Sequence, residues 1–577
     1  MGKEILVLFK THLDIGYTDY AERVVSEYIG KYIPNAIDLG YQLRDSDTPF
    51  IWTVGSWLIH EGLKHDADGK LERAIRDGVI AWHALPFTTH TELMDERLFE
   101  YGLSLSDALD QRFGKCTIGA KMTDVPGHTV AMVPHLRRHG IEFLHIGVNT
   151  ATPLPPTPPL FRWRCEDDEI TVMVGRGYGE PMDCGDFIVW FAHTMDNCGP
   201  QSAEQIQKTY RQIREKYPDS EICAATLNDV AERVRTLSNL PVIASEIGDS
   251  WIHGVGTDPK KVGMYRDALR ALAADSKLQV DISDSLLLLP EHTWGLCLQR
   301  YYPNTADWLF DDFDKTINDP DRVAMERSWQ EQRNYLKKAE RLLDQAFDYD
   351  LEPPNLDGYV CESADSCPID FEISWQLFDR GDYARYGEKY ITFDGENRTW
   401  ATWDYTKNGL PDYKGGLYIA QTEAVWRKDD CYCICLSVCH PLAVREGVPR
   451  FWVTVEGERV EVAWFGKRAS RLPQAIWLKF RGMRECWQVR KLGRWIDPTR
   501  TIGSPLIMAT DYGVSNGEIT VESLDAVLVA PFGRRLLDYG EPSEEQDLYF
   551  NLYNNIWNTN FPMWYSDDTR FRFRLVR

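Results

Sequence analysis

Short apolar runs alternate with amphipathic stretches through the first part of the chain. Ile5-Leu6-Val7-Leu8-Phe9, Phe50–Val54, Val79–Trp82, Thr117–Thr123 and Glu142–Gly147 each hold a few apolar or β-branched residues and predict buried strands. Between them, Asp19–Gln42, Leu71–Asp77 and Glu100–Phe113 carry helical spacing, and a helix ends over His135–His139. Strand, helix, strand in this rhythm predicts a mainly parallel sheet covered by helices. Five prolines in Ala151–Leu160 exclude a regular helix there. A hairpin is expected next, from Leu160–Cys165 through Glu166-Asp167-Asp168-Glu169 to Ile170–Val174. Gly175–Pro181 and Asn197–Pro200 read as loops, and Gln201–Lys216 and Leu227–Leu237 as helices.

The pattern then changes twice. Lys261–Ala274 and Ser328–Phe347 are helical, the second with Trp329, Leu336, Ala339, Leu343 and Ala346 near one face. Leu351–Asp357, with two prolines, reads as a linker. From about Gly358, β-branched and aromatic runs punctuated by Gly, Pro and Asp predict an antiparallel β-sandwich. The expected division is an α/β domain over residues 1–257, a helical domain over 258–350 and a β-sandwich over 358–577. Cys431, Cys433 and Cys435 alternate within one such run, which reads as a strand and not as a zinc knuckle.

Composition narrows the classes of function. A net charge of −24 argues against nucleic-acid binding and against anionic membranes, since phosphate contact needs a basic footprint. A neutral sugar meets no such penalty, and 20 Trp, 27 Tyr and 23 Phe suffice both for large cores and for sugar-stacking surfaces. No stretch has the length of a membrane-spanning helix, and the first apolar run is too short for a signal peptide. Thirteen Cys, an odd number without a compact framework, fit a reducing compartment, so a cytoplasmic location is expected.

Four separated segments offer imidazole and carboxylate: Thr11-His12-Leu13-Asp14, Thr123–His128, Gly248–Gly254 and Glu291–Gly295. Together they predict one site holding a divalent metal beside catalytic carboxylates. In an extended segment, His12 and Asp14 face the same side and can reach one ion. His12 and Asp14 follow the first strand and Asp124 a later one, and functional loops of such sheets cluster beyond the carboxyl ends of the strands. Trp82, His90 and Glu92 follow a strand and are expected to flank the same cleft; Trp251 and Trp294 are further candidates for sugar stacking.

Thr11-His12-Leu13-Asp14-Ile15-Gly16-Tyr17 resembles the His-x-Asp-x-Gly-Trp opening of glycoside hydrolase family 38, the retaining zinc-dependent α-mannosidases. Thr123-Asp124-Val125-Pro126-Gly127-His128-Thr129 resembles that family's Ile-Asp-Pro-Phe-Gly-His-Ser, and Leu286–Gly295 its later segment with Phe-His-Asp or His-His-Asp. Asn554–Phe561 is similar to a segment near the family's C-terminus. The resemblance, as a divergent branch, implies a seven-stranded α/β barrel-like domain, a small helical bundle and a β-sandwich. It implies one zinc ion per chain on His12, Asp14, Asp124 and His292, with His253 competing with His292 for the fourth place. Asp124 would also be the nucleophile, and Asp249, or in second place Asp196, the acid/base. Tyr17 stands where the family has a Trp beneath the sugar, and Thr293 where it has an Asp. The implied activity is hydrolysis of α-mannosides or related sugars with adjacent hydroxyls; a homo-oligomer is consistent with the family. Two other readings accommodate the same residues: a zinc-dependent ester or amide hydrolase acting on carbohydrate, and a non-catalytic carbohydrate-binding homologue.

Overall fold

The computed structural model describes residues 2–274, 280–347, 351–363, 366–481, 486–504, 507–540 and 547–577. They form two compact units. The first comprises Met1–Thr91, Arg97–Ile247 and Glu291–Thr293; the second comprises Glu92–Glu96, Gly248–Pro290 and Trp294–Arg577.

The first unit is organised around β1 (Glu4–His12), whose apolar run is buried along nearly its whole length. A strand covered on both faces can be continuously apolar, and this one lies inside a parallel arrangement. It pairs in parallel with β2 (Trp52–Gly55) near its end, β9 (Phe187–Asp196) along its length and β10 (Glu221–Ala224) near its start. With β3 (Ile80–His83) beside β2 and β8 (Met182–Asp183) beside β9, these make the first sheet. The second sheet runs β11 (Val242–Ile243), β6 (Leu160–Cys165), β7 (Asp168–Arg176), β5 (Phe143–Val148), β4 (Gly119–Asp124). Its β4–β5 and β5–β7 pairs are parallel, and β6–β7 is the antiparallel hairpin expected from the sequence.

Period-two alternation divides the residues of these strands. Phe9 faces outward onto Phe50 and Tyr210, with centroids 5.1 and 6.0 Å away. Leu6 and Leu8 face inward, in one buried cluster with Phe143, Met173, Val189 and Phe191 from both sheets. Continuing along the same faces towards the strand ends, the side chains turn polar: Lys10 and His12 on β1, Lys121 on β4, His145 on β5 and His193 on β9, all buried or nearly so. An apolar floor thus underlies a polar layer at the end where functional residues gather.

The segment expected as one helix over Asp19–Gln42 is interrupted. It forms α1 (Ala21–Glu27), a π turn over Tyr28–Tyr32, and α2 (Ile33–Leu43). Pro34 has no N–H to give to the preceding turn, so the backbone widens there. The bulge presents Tyr28, whose hydroxyl donates to the carbonyl of His12 at 3.0 Å. The Gln201–Lys216 helix, here Ala203–Lys216, is closed by a reciprocal Ser202–Gln205 cap, and Leu227–Arg235 by Thr226 and Asp229.

In the second unit, helices Pro259–Ala274 and Pro320–Leu343 precede two antiparallel sheets of ten and six strands among the described residues. The long helix buries Met325, Trp329, Leu336 and Ala339 on one face. Phe480 and Phe550 of the smaller sheet meet Phe573 of the larger at 5.6 and 5.0 Å, so apolar inner faces join the two sheets. Cys431, Cys433 and Cys435 lie on one strand as free thiols. The mixed α/β character and the antiparallel C-terminal part therefore follow the sequence pattern. No described helix is long and apolar enough to cross a membrane.

Candidate metal and catalytic centre

Three strand ends supply the centre. β1 ends at His12, β4 at Asp124 and β9 at Asp196. The β1–β9 register slips after Thr11, so His12 comes opposite Asp196. A fourth segment arrives from far along the chain. Glu291 bridges to Thr89, and the His292 N–H donates to the Thr88 carbonyl at 3.3 Å.

These elements bring His12, Asp14, Asp124, Asp196 and His292 together. One ligand atom from each of His12, Asp124 and His292 lies within 4.8 Å of the others, and the same holds for His12, Asp14 and Asp196. Asp14 Oδ1 is 3.0 Å from His12 Nε2 and 2.9 Å from His292 Nε2, and Asp124 Oδ2 is 3.5 Å from His292 Nε2.

Neighbouring groups fix each donor. Glu291 Oε1 lies 2.6 Å from His292 Nδ1, and its other oxygen accepts from the Thr293 N–H at 2.9 Å. Asn149 Nδ2 donates to Asp124 Oδ1 at 2.6 Å. The Tyr178 hydroxyl donates to Asp196 Oδ1 at 2.6 Å, with its ring 4.8 Å from that of His12. Asn197 accepts from the Asp14 N–H and donates to the Asp14 and Gly16 carbonyls and the Thr18 hydroxyl, bracing the loop after β1. Tyr17, Asp124, Tyr178 and Asn197 all have φ between 52° and 85°. Left-handed backbone at non-glycine residues costs energy, and here it gathers around one centre.

The electrostatics show what the donors lack. Burial works against the charged forms of His12 and His292. Asp14 and Asp124 nevertheless raise the pKa of His12, and Glu291, Asp124 and Asp14 raise that of His292 well above the usual range. Burial likewise opposes ionised Asp14, yet the two imidazoles hold its pKa well below the usual carboxylate range. Asp196, desolvated and close to Asp14, is pushed up to about 6. If His292 Nδ1 carries the proton given to Glu291, Nε2 turns a lone pair towards two carboxylates. Either a second proton on Nε2 or a metal ion between them meets that arrangement. His12 Nε2, despite Asp14 at 3.0 Å, and Asp14 Oδ2 have no aligned hydrogen-bond partner. Two imidazoles and carboxylate oxygens with unmet lone pairs fit a borderline divalent ion such as zinc, with Glu291 orienting one ligand.

The remaining expected site residues lie as follows. Tyr17 is in the loop after β1 that Asn197 braces. His90 is buried next to the Thr88–Thr89 segment that receives Glu291 and His292. Trp82 belongs elsewhere: its indole donates to Ser106 on the covering helix and its ring packs near Phe113, because alternation along β3 turns Trp82 outward and His83 inward. Glu92, Asp249, Trp251, His253 and Trp294 are in the second unit. There Glu92 meets Lys491 Nζ at 2.7 Å and accepts from the Ala509 N–H. Asp249 caps the turn at Trp251 and accepts from the Tyr390 hydroxyl at 3.1 Å; burial pushes its pKa up to about 7. Trp251 lies 6.2 Å from Tyr405. His253 stacks on Trp557 and burial lowers it to about 3; it belongs to neither group of converging ligand atoms. Trp294 is almost fully buried, with Lys261 Nζ 3.3 Å from its ring centroid. Glu291, Asn149, Tyr178 and Asn197 escaped sequence reasoning. Only Glu291, adjacent to an expected ligand, carried a local signal.

Residues 255–352 match a family described as "Domain of unknown function (DUF5054)". No curated protein matches the chain. Among solved structures, an α-mannosidase from Enterococcus faecalis V583 is similar with a TM-score of 0.58 and 10% identity, over 100% of this chain and 87% of that one. An E. faecalis protein in glycosyl hydrolase family 38 is similar with a TM-score of 0.57 and 10% identity, over 100% and 86%. At this identity the likeness is one of fold: the chain has a distant family 38-like architecture.

Proposed function

We propose that the protein is a metal-dependent retaining glycoside hydrolase acting on α-mannosides or related sugars with adjacent hydroxyls. The observation that carries this reading is the convergence of His12, Asp14, Asp124 and His292, with Asp196 alongside, at the ends of buried strands. The family 38-like fold supports it. We take the two sheets of the first unit as parts of one barrel-like catalytic domain, in keeping with the Ala84 N–H to Gly119 carbonyl bond that ties the end of β3 to the start of β4.

His12, Asp14, Asp124 and His292 would hold one zinc ion, which when bound chelates two neighbouring sugar hydroxyls and favours a distorted ring. Asp124, its plane fixed by Asn149, attacks the anomeric carbon and forms a glycosyl ester as the leaving oxygen departs. Asp196, in place of Asp249, is the better candidate to protonate that oxygen and then take a proton from the incoming water. It stands in the same cluster, whereas the Asp249 carboxylate is engaged by Trp251 and Tyr390. Tyr178 holds Asp196 in place.

The test is a panel of aryl α- and β-glycosides assayed with zinc, with cobalt and with chelator, the anomer of the first product being read by NMR. The expected result is metal-dependent release from an α-glycoside with retained configuration. Asp124→Asn should abolish turnover in a folded protein. Turnover of that variant near the wild-type rate, or metal-loaded protein inert towards the whole panel, refutes the proposal.

A further inference from the structure

Behind Asp196, a series of contacts runs through the interior of the first unit to residues that the mechanism does not use. Tyr178 is the middle link. Its hydroxyl donates to Asp196 Oδ1 at 2.6 Å, and its backbone carbonyl accepts from Lys121 Nζ, also at 2.6 Å. Lys121 Nζ in turn lies 2.7 Å from His145 Nδ1, and the His145 ring stacks on Phe191 with centroids 3.9 Å apart. Tyr178, Lys121 and His145 are each at most 3% exposed.

The backbone is shaped for this contact. Tyr178 has a φ of 67° and stands between Gly177 at 63° and Gly179 at 139°. A left-handed tyrosine is strained and persists only where its surroundings hold it. The Tyr178 N–H donates to the Val148 carbonyl at 3.2 Å, and Lys121 holds the other end of the residue's backbone. Glycines keep the space clear. A Cβ on Gly147 would stand 2.2 Å from the Tyr178 carbonyl oxygen and 2.6 Å from Lys121 Nζ. One on Gly179 would stand 2.7 Å from the Phe191 ring and 3.0 Å from that of His145.

Burial, and then Lys10, keep the pKa of Lys121 well below the usual range. A neutral amine still serves here, because a carbonyl requires a donor and no charge. Without that donor a buried carbonyl goes unmet, and the strained turn is free to relax. We propose that Lys121 is a positioning residue for the acid/base carboxylate: through the Tyr178 backbone it fixes the hydroxyl that holds Asp196 Oδ1, leaving Oδ2 to carry the proton. This rests on the glycosidase reading and names the residue that aims its proton donor. The proton leaves Asp196 Oδ2 for the departing oxygen as the glycosidic C–O bond breaks, and Asp124 forms the new bond to the anomeric carbon. Lys121 and Tyr178 exchange no proton in that step.

The test is kcat/KM of the zinc-loaded protein on aryl α-mannosides whose leaving groups run from dinitrophenol to unsubstituted phenol. Dinitrophenolate departs without a proton, whereas phenol requires one. Tyr178→Phe and Lys121→Met should each lower kcat/KM roughly 10–100-fold on the phenyl glycoside and far less on the dinitrophenyl glycoside. In the Tyr178→Phe background, Lys121→Met should add nothing further, as expected of two residues acting in series. Lys121→Gln keeps a donor and should recover part of the lost rate. Zinc content should stay at one per chain throughout. An equal loss across all leaving groups makes Lys121 a merely structural residue and overturns the proposal. Additive effects in the double variant, or a Gln variant no better than Met, overturn it too. Loss of zinc from the Lys121 variants places Asp196 among the ligands and likewise overturns it. In each of these cases the wild-type protein still cleaves. A wild-type protein inert towards every glycoside instead refutes the glycosidase reading, and the positioning role falls with it.

Discussion

Replacing Glu291 by Gln isolates the contribution of one carboxylate to the proposed metal centre. Glu291 accepts from two donors at once, His292 Nδ1–H at 2.6 Å and the Thr293 N–H at 2.9 Å. Gln has the same shape but only one accepting oxygen. If that oxygen serves His292, the amide nitrogen confronts the Thr293 N–H, and a buried donor goes unmet at a cost of about 1–3 kcal/mol. If it serves Thr293, His292 must accept at Nδ1 and carry its proton on Nε2, the atom that faces Asp14 and Asp124. Both outcomes weaken the hold on an ion. Loss of an orienting partner of this kind costs roughly 10–100-fold in affinity, or about 1.4–2.7 kcal/mol. Competition against a chromophoric chelator measures the zinc Kd directly. The metal-free variant should melt below the wild-type temperature, because a buried donor goes unmet and His292 loses the carboxylate that favours its charged form. The rise in Tm on adding zinc should shrink accordingly. A zinc affinity within threefold of wild type refutes the assignment of His292 as an oriented ligand.

Asn197→Ala removes the four hydrogen bonds that brace Asp14 to Thr18 and leaves a left-handed residue without its side-chain compensation. It should destabilise the protein by about 2–4 kcal/mol in urea melts and weaken zinc binding; unchanged stability would show the bracing to be dispensable. Asp249 has a folded pKa near 7 against about 3.9 unfolded, so the folded state binds its proton more tightly. Its stabilising contribution is full below about pH 4, falls as pH rises to about 7, and is flat above that. Asp249→Asn should flatten this part of the stability profile and raise stability at pH 8 by at most roughly 4 kcal/mol. Parallel wild-type and variant melting curves from pH 5 to 8 would contradict the buried environment assigned to that carboxylate.

Where the physics is local, the sequence was legible. The run Ile5–Phe9 is a doubly covered strand, and Leu160–Val174 is the hairpin its turn residues specify. The break at Tyr28–Tyr32 was less so, since helical spacing persists across Pro34 and only the missing N–H interrupts it. No strand was assigned to Phe187–Asp196, although it became the long partner of β1. Without it, Asp196 read as a loop residue and took second place to Asp249. His12, Asp14 and Asp124 were legible because each ends or follows an apolar run. Of the supports, Glu291 sits beside the ligand it orients, whereas Asn149, Tyr178 and Asn197 acquire their roles only through contacts between segments well separated in the chain.

The three-residue segment Glu291–Thr293 has a consequence for biosynthesis. A nascent chain emerging from the ribosome presents His12, Asp14 and Asp124 long before His292, which follows Asp124 by 168 positions. Until that stretch is synthesised and seated on Thr88 and Thr89, the cation would have an incomplete set of donors. Capture of the ion would thus act as a late checkpoint, tight only in molecules translated past residue 293. Prematurely terminated products would be left open to exchange and to proteolytic clearance.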